Sequence, residues 1–461
     1  MNNLLNYIKN KYISEILTII LFILTIIFLS NVTLLGNLPP ILLYFFMLGI
    51  GILLIIIFSN KNEIFLKIKL FILFFSLYLI YTLIQHYILI SFFPNSAPYN
   101  FEDERRFYEY SNLGLPYITG EKNFFDLFSI YEIHQLPLHI VFSASITYFS
   151  TLIDGSNSIL LQKLLSPFFG GLFIVVLYST LKYQFKDSSF SLKATITYGL
   201  LSAVFMYSIP LLRDIDVALA YIIFFYLFLQ KNSFFNFLLL FLVAFMTYFL
   251  RVESGMVLYA LILLYSYLNV RTIKSTLIKF IFYILILLLF AFVVIFLYHK
   301  IIGMVVGLDE ANTMRAVAKA SADSISLLFN KLPFPLSYLA KVLFGQMQPF
   351  PFLHAIDRPM EAISGLFWPF IFIMMLYAIV KKEIRVLINE KIKYLLIIAI
   401  LVLFLMSSEP MARRMMSVYP IIYFTSLYAF TVLPNTKIKR FFSYYLFAII
   451  SLNIFYYVIK L

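Results

Sequence analysis

Uninterrupted apolar runs of about 20 residues recur along this chain, and few folds can accommodate them. The runs at 13–35, 70–93 and 277–298 match the roughly 20 helical residues needed to cross a bilayer's hydrocarbon core. The whole sequence is 62% hydrophobic and only 12% charged, about half the charge of an ordinary soluble domain. No water-soluble core could hide so much apolar side chain. A β-barrel also satisfies its backbone in lipid, but it would show short alternating segments rather than continuous runs. The expected fold class is therefore all-α, a polytopic transmembrane bundle of about 13 to 14 helices.

Candidate spans fall at 13–35, 41–59, 70–93, 158–181, 194–212, 215–230, 233–250, 254–269, 277–298, 363–380, 394–407, 415–433 and 441–459. The first run is too long for a signal-peptide core, and Gly36-Asn37-Leu38-Pro39-Pro40 follows it instead of a small-residue cleavage site. It is expected to stay as a helix. The stretch 136–153 is apolar as well, but loop charge argues that it does not cross once.

Lysine and arginine cluster in alternate connections: Lys9 and Lys11; Lys61, Lys67 and Lys69; Lys182, Lys186 and Lys193; Lys231; Arg271, Lys274 and Lys279; Lys381 to Lys393; Lys437 to Arg440. The positive-inside rule makes these cytoplasmic. All then share one side only if 136–153 returns to the outer face or lies in the outer leaflet. The reading is a multi-pass protein of the cell (inner, cytoplasmic) membrane with a cytoplasmic N-terminus. The net charge of +13 is thus assigned to loops and membrane lipids, not to nucleic acid. The chain reads as one membrane domain, 1–461, with outer-face segments at 94–135 and 299–362 that hold most of its non-cytoplasmic polar residues. Function is expected there.

The sequence has no cysteine, which removes disulfides, thiolate catalysis and Cys-ligated zinc. The five histidines, His86, His134, His139, His299 and His354, show no HExxH or paired spacing, so no metal site is expected. Neither a Walker loop nor GxGxxG is present, which argues against direct nucleotide use.

The first outer segment opens Glu102-Asp103-Glu104-Arg105-Arg106. Carboxylates crowded near a low-dielectric boundary are suited to hold a proton or cation, and Arg105 and Arg106 could instead simply neutralise them. Three short outer turns carry further charge: Arg213-Asp214 with Asp216, Arg251 with Glu253, and Glu409 with Arg413 and Arg414. Charge at a helix end in the membrane is costly and usually partnered or functional. Arginine's planar fork suits phosphate. The plainer alternatives are interfacial snorkelling and local Arg–carboxylate pairing within each turn.

Taken in order, these pieces resemble the GT-C superfamily of membrane glycosyltransferases, which use polyprenyl-phosphate sugars and include protein mannosyltransferases and aminoarabinose transferases. Asp103-Glu104, followed by Tyr108, resembles the family's acidic pair in its first outer loop. His134-Gln135-Leu136-Pro137-Leu138 resembles its His-Pro-Pro-Leu segment, and Arg413-Arg414 to Tyr419-Pro420 its late Arg-Tyr-Leu-Leu-Pro stretch. Here the acidic pair follows the third span rather than the first, and one proline of the His-Pro-Pro-Leu motif is missing. The resemblance implies a glycosyltransferase in cell-surface polysaccharide or glycolipid assembly. Asp103 would be its base, Glu104 would orient Asp103, and Arg213, Arg251, Arg413 and Arg414 would hold the donor phosphate, with His134 a further site residue. The donor would be a polyprenyl-linked saccharide and the acceptor a glycan, lipid or protein. No cofactor is expected beyond that donor, and the need for a divalent cation stays open.

Two alternatives stand beside it. The O-antigen polymerase, or Wzy, class is similar in length and in Phe, Ile and Leu richness, and would use outer-loop cations such as Arg315 and Arg358 in 299–362. A lipid-linked saccharide transporter or flippase would carry ionisable groups near the bilayer midplane, whereas here they sit at span ends.

Overall fold

A computed structural model describes residues 15–16, 18–30, 39–92, 102–130, 137–153, 159–231, 233–270, 283–284, 332–333, 336–347, 359–405 and 412–460. The described residues are about 90% helical and contain no strand, as the continuous apolar runs require. Five helices are long and apolar enough to cross a membrane: Pro39–Phe58, Lys61–Ile88, Ile159–Phe185, Met360–Val380 and Asn435–Val458. The chain therefore has the character of a multi-pass membrane protein. The expected span 277–298 and most of the outer segment 299–362 lie outside the described residues.

Two compact units emerge. The first comprises residues 1–200, 204–226 and 243–255, and the second 201–203, 227–242 and 256–461.

In the first unit, α1 (Thr18–Ser30) precedes α2 (Pro39–Phe58) and α3 (Ile64–Phe92). There follow α4 (Glu102–Ile118), α5 (Pro137–Ile153), α6 (Ile159–Lys163), α7 (Leu165–Phe185), α8 (Ser188–Leu201) and α9 (Ala203–Tyr207). Helices α10 (Asp214–Leu229), α11 (Phe234–Leu250) and α12 (Val252–Val270) begin or end in it. The core is the antiparallel pair α3 and α7. Phe71, Phe74, Phe75 and Tyr78 of α3 are completely buried, and the absent side chains of Gly170 and Gly171 make room for this aromatic row. A Cβ at Gly170 would collide with Ser208 and with the Tyr78 ring, and one at Gly171 would press on Phe71 and Phe75. Gly170→Ala is accordingly expected to cost about 1 to 3 kcal/mol by overpacking, read as a lower midpoint of thermal unfolding in detergent. An unchanged midpoint would mean that the α3–α7 contact is looser than this.

The two ends of the α3–α7 pair differ in charge. At one end Glu63 accepts from Lys182 at 2.6 Å and pairs with Lys67 at 3.1 Å, while Lys69 meets Glu15 at 2.6 Å. Two of the lysine-rich connections are thereby gathered together. Helix α7 stops there at Lys186, which adopts φ +59° and donates its N–H to Lys182 O. It closes the last turn as a left-handed cap, a position glycine usually fills.

The expected span 194–212 is broken. After a bend at Ser202 and the single turn of α9, residues Ser208 to Arg213 run without regular structure. Pro210 explains the stop, because its ring clashes with the preceding turn and supplies no N–H. Ser208 through Leu212 are nonetheless buried, so their backbone groups must find partners. Side chains provide several: Ser166 donates to Pro210 O at 2.6 Å, Thr82 to Ile209 O at 3.4 Å, and the Leu211 N–H donates to Glu104 at 2.8 Å.

The second unit holds α13 (Leu336–Gly345), α14 (Pro359–Val380), α15 (Lys382–Leu387), α16 (Glu390–Leu405), α17 (Ala412–Met415), α18 (Tyr419–Val432) and α19 (Asn435–Lys460). Helix α14 packs along α18, where Trp368 stacks on Tyr419 with ring centroids 3.7 Å apart and donates its indole N–H to Gln346 at 2.6 Å. Lys391 donates to the carbonyls of Phe228 and Gln230 at 2.9 and 2.7 Å, capping the C-terminus of α10 where a helix favours a cation. Helix α19 leaves Phe447, Ile454, Phe455 and Val458 exposed. Such a surface suits lipid rather than water.

Candidate functional site

Helix α4 begins with three consecutive acids, which the partial positive charge of a helix N-terminus favours. Its buried positions are Glu104, Phe107, Ser111 and Gly114, the three-to-four spacing of an inward-facing stripe. That periodicity separates the three carboxylates. Glu102 faces out and pairs with Arg105 at 3.2 Å, and Arg105 also meets Glu109 at 3.4 Å. The neutralising arginine foreseen from the sequence thus serves the exposed face. Glu104 points inward with no exposed surface and lies 3.4 Å from Lys163 Nζ, which is equally buried. With its bond from Leu211 N–H, Glu104 ties α4 to α6 and to the irregular 208–213 segment. Asp103 is half-buried between these extremes.

A second buried polar pair lies about one helical turn along α4. Phe107 packs edge-on against the His139 ring, with centroids 5.0 Å apart, and His139 Nδ1 sits 2.6 Å from Asp216 Oδ2. His139 is in the first turn of α5, and Asp216 in the first turn of α10. Both are almost wholly buried. Farther along α5, Gln162 of α6 donates to Thr147 at 2.8 Å.

Two of the three arginine-bearing turns come together. Arg251 Nη2 pairs with Asp214 at 2.6 Å, across turns rather than with its own neighbour Glu253. Arg213 Nη1 donates to Leu250 O at 3.3 Å, capping the end of α11. Arg213 also lies within electrostatic reach of Arg251, Asp214, Glu253 and Asp103. Burial, and next the Arg251 charge, pull the Arg213 pKa down to about 10, which leaves it cationic at neutral pH. Asp103, Arg213, Asp214, Arg251 and Glu253 therefore form one charged cluster at the heads of α4, α10 and α12.

Arg413 is half-buried in the short α17 of the second unit, and the Arg414 backbone lies in the same turn. His134, Arg315 and Arg358 fall outside the described residues. Among the described residues, no group of three or more His, Asp or Glu side chains is arranged to hold a metal ion.

Lys163 and Gln162 were missed in the sequence reading. The available signal was a lysine close to the start of an apolar span, where a charge needs a partner. Among known proteins no family model, no curated sequence and no solved structure matches the chain.

Proposed function

We propose that this chain is an integral-membrane glycosyltransferase that works at the outer face of the cell membrane with a polyprenyl-phosphate-linked sugar as donor. The observation that carries the reading is the setting of Asp103, half-buried beside the anchored Glu104 and within electrostatic reach of Arg213. A carboxylate able to take a proton stands near guanidiniums able to hold phosphate. In the reaction Asp103 accepts the proton of an acceptor hydroxyl, on a glycan, lipid or protein, as that oxygen bonds to the donor's anomeric carbon. The bond from this carbon to the phosphate oxygen breaks, and its electron pair remains on the polyprenyl phosphate. The cationic forks of Arg213 and Arg251 stabilise the charge on the leaving phosphate.

Glu104, Asp214, Asp216, Arg251 and Lys163 all lie within the first two turns of a helix or just before one, a placement that groups the charges with the acidic end of α4 proposed as the transfer site. Deleting the gene should cause the unused lipid-linked monosaccharide, or an incomplete saccharide unit, to accumulate in extracted membranes. Accumulation of a complete repeat unit on its carrier would instead indicate polymerisation and overturn this reading.

Topology offers an independent check in a chain without cysteine. Single cysteines at Ser156 and Lys186 should react with a membrane-impermeant thiol reagent from opposite sides, Ser156 from outside and Lys186 only after the membrane is opened. Ser156 reacting solely from the cytoplasmic side would reverse the orientation proposed for the acidic end.

A further inference from the structure

The irregular segment between α9 and α10 must keep a shape that no helix gives it. Leu212 N–H bonds back to Pro210 O at 2.8 Å, a three-residue turn with a single internal hydrogen bond. The N–H of Leu211, at the middle of that turn, needs a partner elsewhere. Glu104 Oε1 is that partner, at 2.8 Å. Thr82 and Ser166 hold the neighbouring carbonyls of Ile209 and Pro210. They do so through neutral hydroxyls, and a hydrogen bond to a carboxylate is roughly twice as strong as one between neutral groups. Lys163 Nζ lies 3.4 Å from the same Glu104 oxygen, so the counter-charge is set against the atom that carries the bond.

Chain connectivity turns this bond into a short link between two functional residues. Leu211 stands two residues before Arg213, a reach of at most about 7 Å, and Glu104 directly follows Asp103. One hydrogen bond therefore joins the neighbour of the proposed base to the backbone that carries the proposed phosphate holder. On the far side of Arg213 the Arg251–Asp214 pair and the bond from Arg213 Nη1 to Leu250 O steady the start of α10. We propose that Glu104 is a positioning residue for Arg213: it fixes the 208–213 segment, and with it the separation of Arg213 from Asp103, while Lys163 acts through Glu104. What Arg213 holds rests on the glycosyl-transfer reading above, whereas what holds Arg213 comes from the geometry alone. Glu104 thus has a task beyond the orienting of Asp103 expected from its place in the sequence.

The test uses the full-length protein in nanodiscs. It reads backbone amide hydrogen exchange over 208–213 by mass spectrometry, and binding of farnesyl phosphate through the phosphorus NMR resonance of that probe. Glu104→Asp keeps the charge, which the flexible Lys163 side chain can follow. It withdraws the carboxylate by about 1.5 Å, one carbon–carbon bond, out of hydrogen-bond range of Leu211. Glu104→Gln/Lys163→Met keeps the reach and removes both charges. Exchange over 208–213 should be at least tenfold faster in Glu104→Asp than in wild type, and farnesyl phosphate should bind it at least tenfold more weakly, with the double variant between the two in both measurements. An ion pair that served stability alone would make the double variant the worse of the two, and that order overturns the proposal. Wild-type exchange in Glu104→Asp overturns it as well, as does faster exchange with unchanged affinity for farnesyl phosphate. Should Glu104→Asp fail to fold, Glu104→Met/Lys163→Met, an apolar pair with no acceptor for Leu211, takes its place and must show the same order. Farnesyl phosphate that fails to bind even the wild type, with the exchange order as expected, would refute the phosphate reading of Arg213 and uphold Glu104 as the residue that holds its segment.

Discussion

Asp103→Asn should reduce sugar transfer by about 10² to 10⁴-fold, the usual contribution of a general base, while donor binding and folding stay close to wild type. The exchange keeps the size and one acceptor oxygen but removes the negative charge, and Asp103 is only half-buried, so little packing depends on it. Glu102→Gln should be nearly silent, because Glu102 is an exposed partner of Arg105. Turnover and donor binding must be measured separately on purified protein, so that misfolding is not counted as lost chemistry. Wild-type turnover in Asp103→Asn would end the proposed mechanism.

The largest stability effects should come from the Glu104–Lys163 pair. Lys163→Met removes the cation opposite a fully buried carboxylate that also accepts from the Leu211 N–H, and breaking a buried pair from one side typically costs about 3 to 5 kcal/mol. Glu104→Gln removes the negative charge opposite the Lys163 ammonium and should cost a similar amount, although its carbonyl can still accept from Leu211. The double variant Glu104→Gln/Lys163→Met removes both charges, so its loss should be well below the sum of the two single losses. Unfolding in detergent, measured for all four proteins, provides the cycle. Strict additivity would show that the two charges do not depend on each other.

The helical class was legible because bilayer-length apolar runs permit little else, and α2, α3, α7, α14 and α19 follow those runs closely. The break at 208–213 was not. Hydropathy treats Ser208 to Leu212 as more of the same, and only Pro210 hinted that backbone groups there would need side-chain partners from α3, α4 and α7. Within the site, the acids and the arginines of two turns could be picked out because charge beside a bilayer is conspicuous. Their pairing could not. Arg251 bypasses Glu253 for Asp214, and Glu104 turns away from Arg105 towards Lys163, because helix phase and tertiary packing, rather than nearness in sequence, decide which side chains meet.

The three inward-facing polar pairs also have a direction in time. Glu104 is made before Lys163, His139 before Asp216, and Asp214 before Arg251. In each case the second partner is synthesised after the first. The carboxylate that offsets the cost of burying Lys163 is therefore already part of the chain when Lys163 is made. The last of the three pairs can close only once Arg251 has been made.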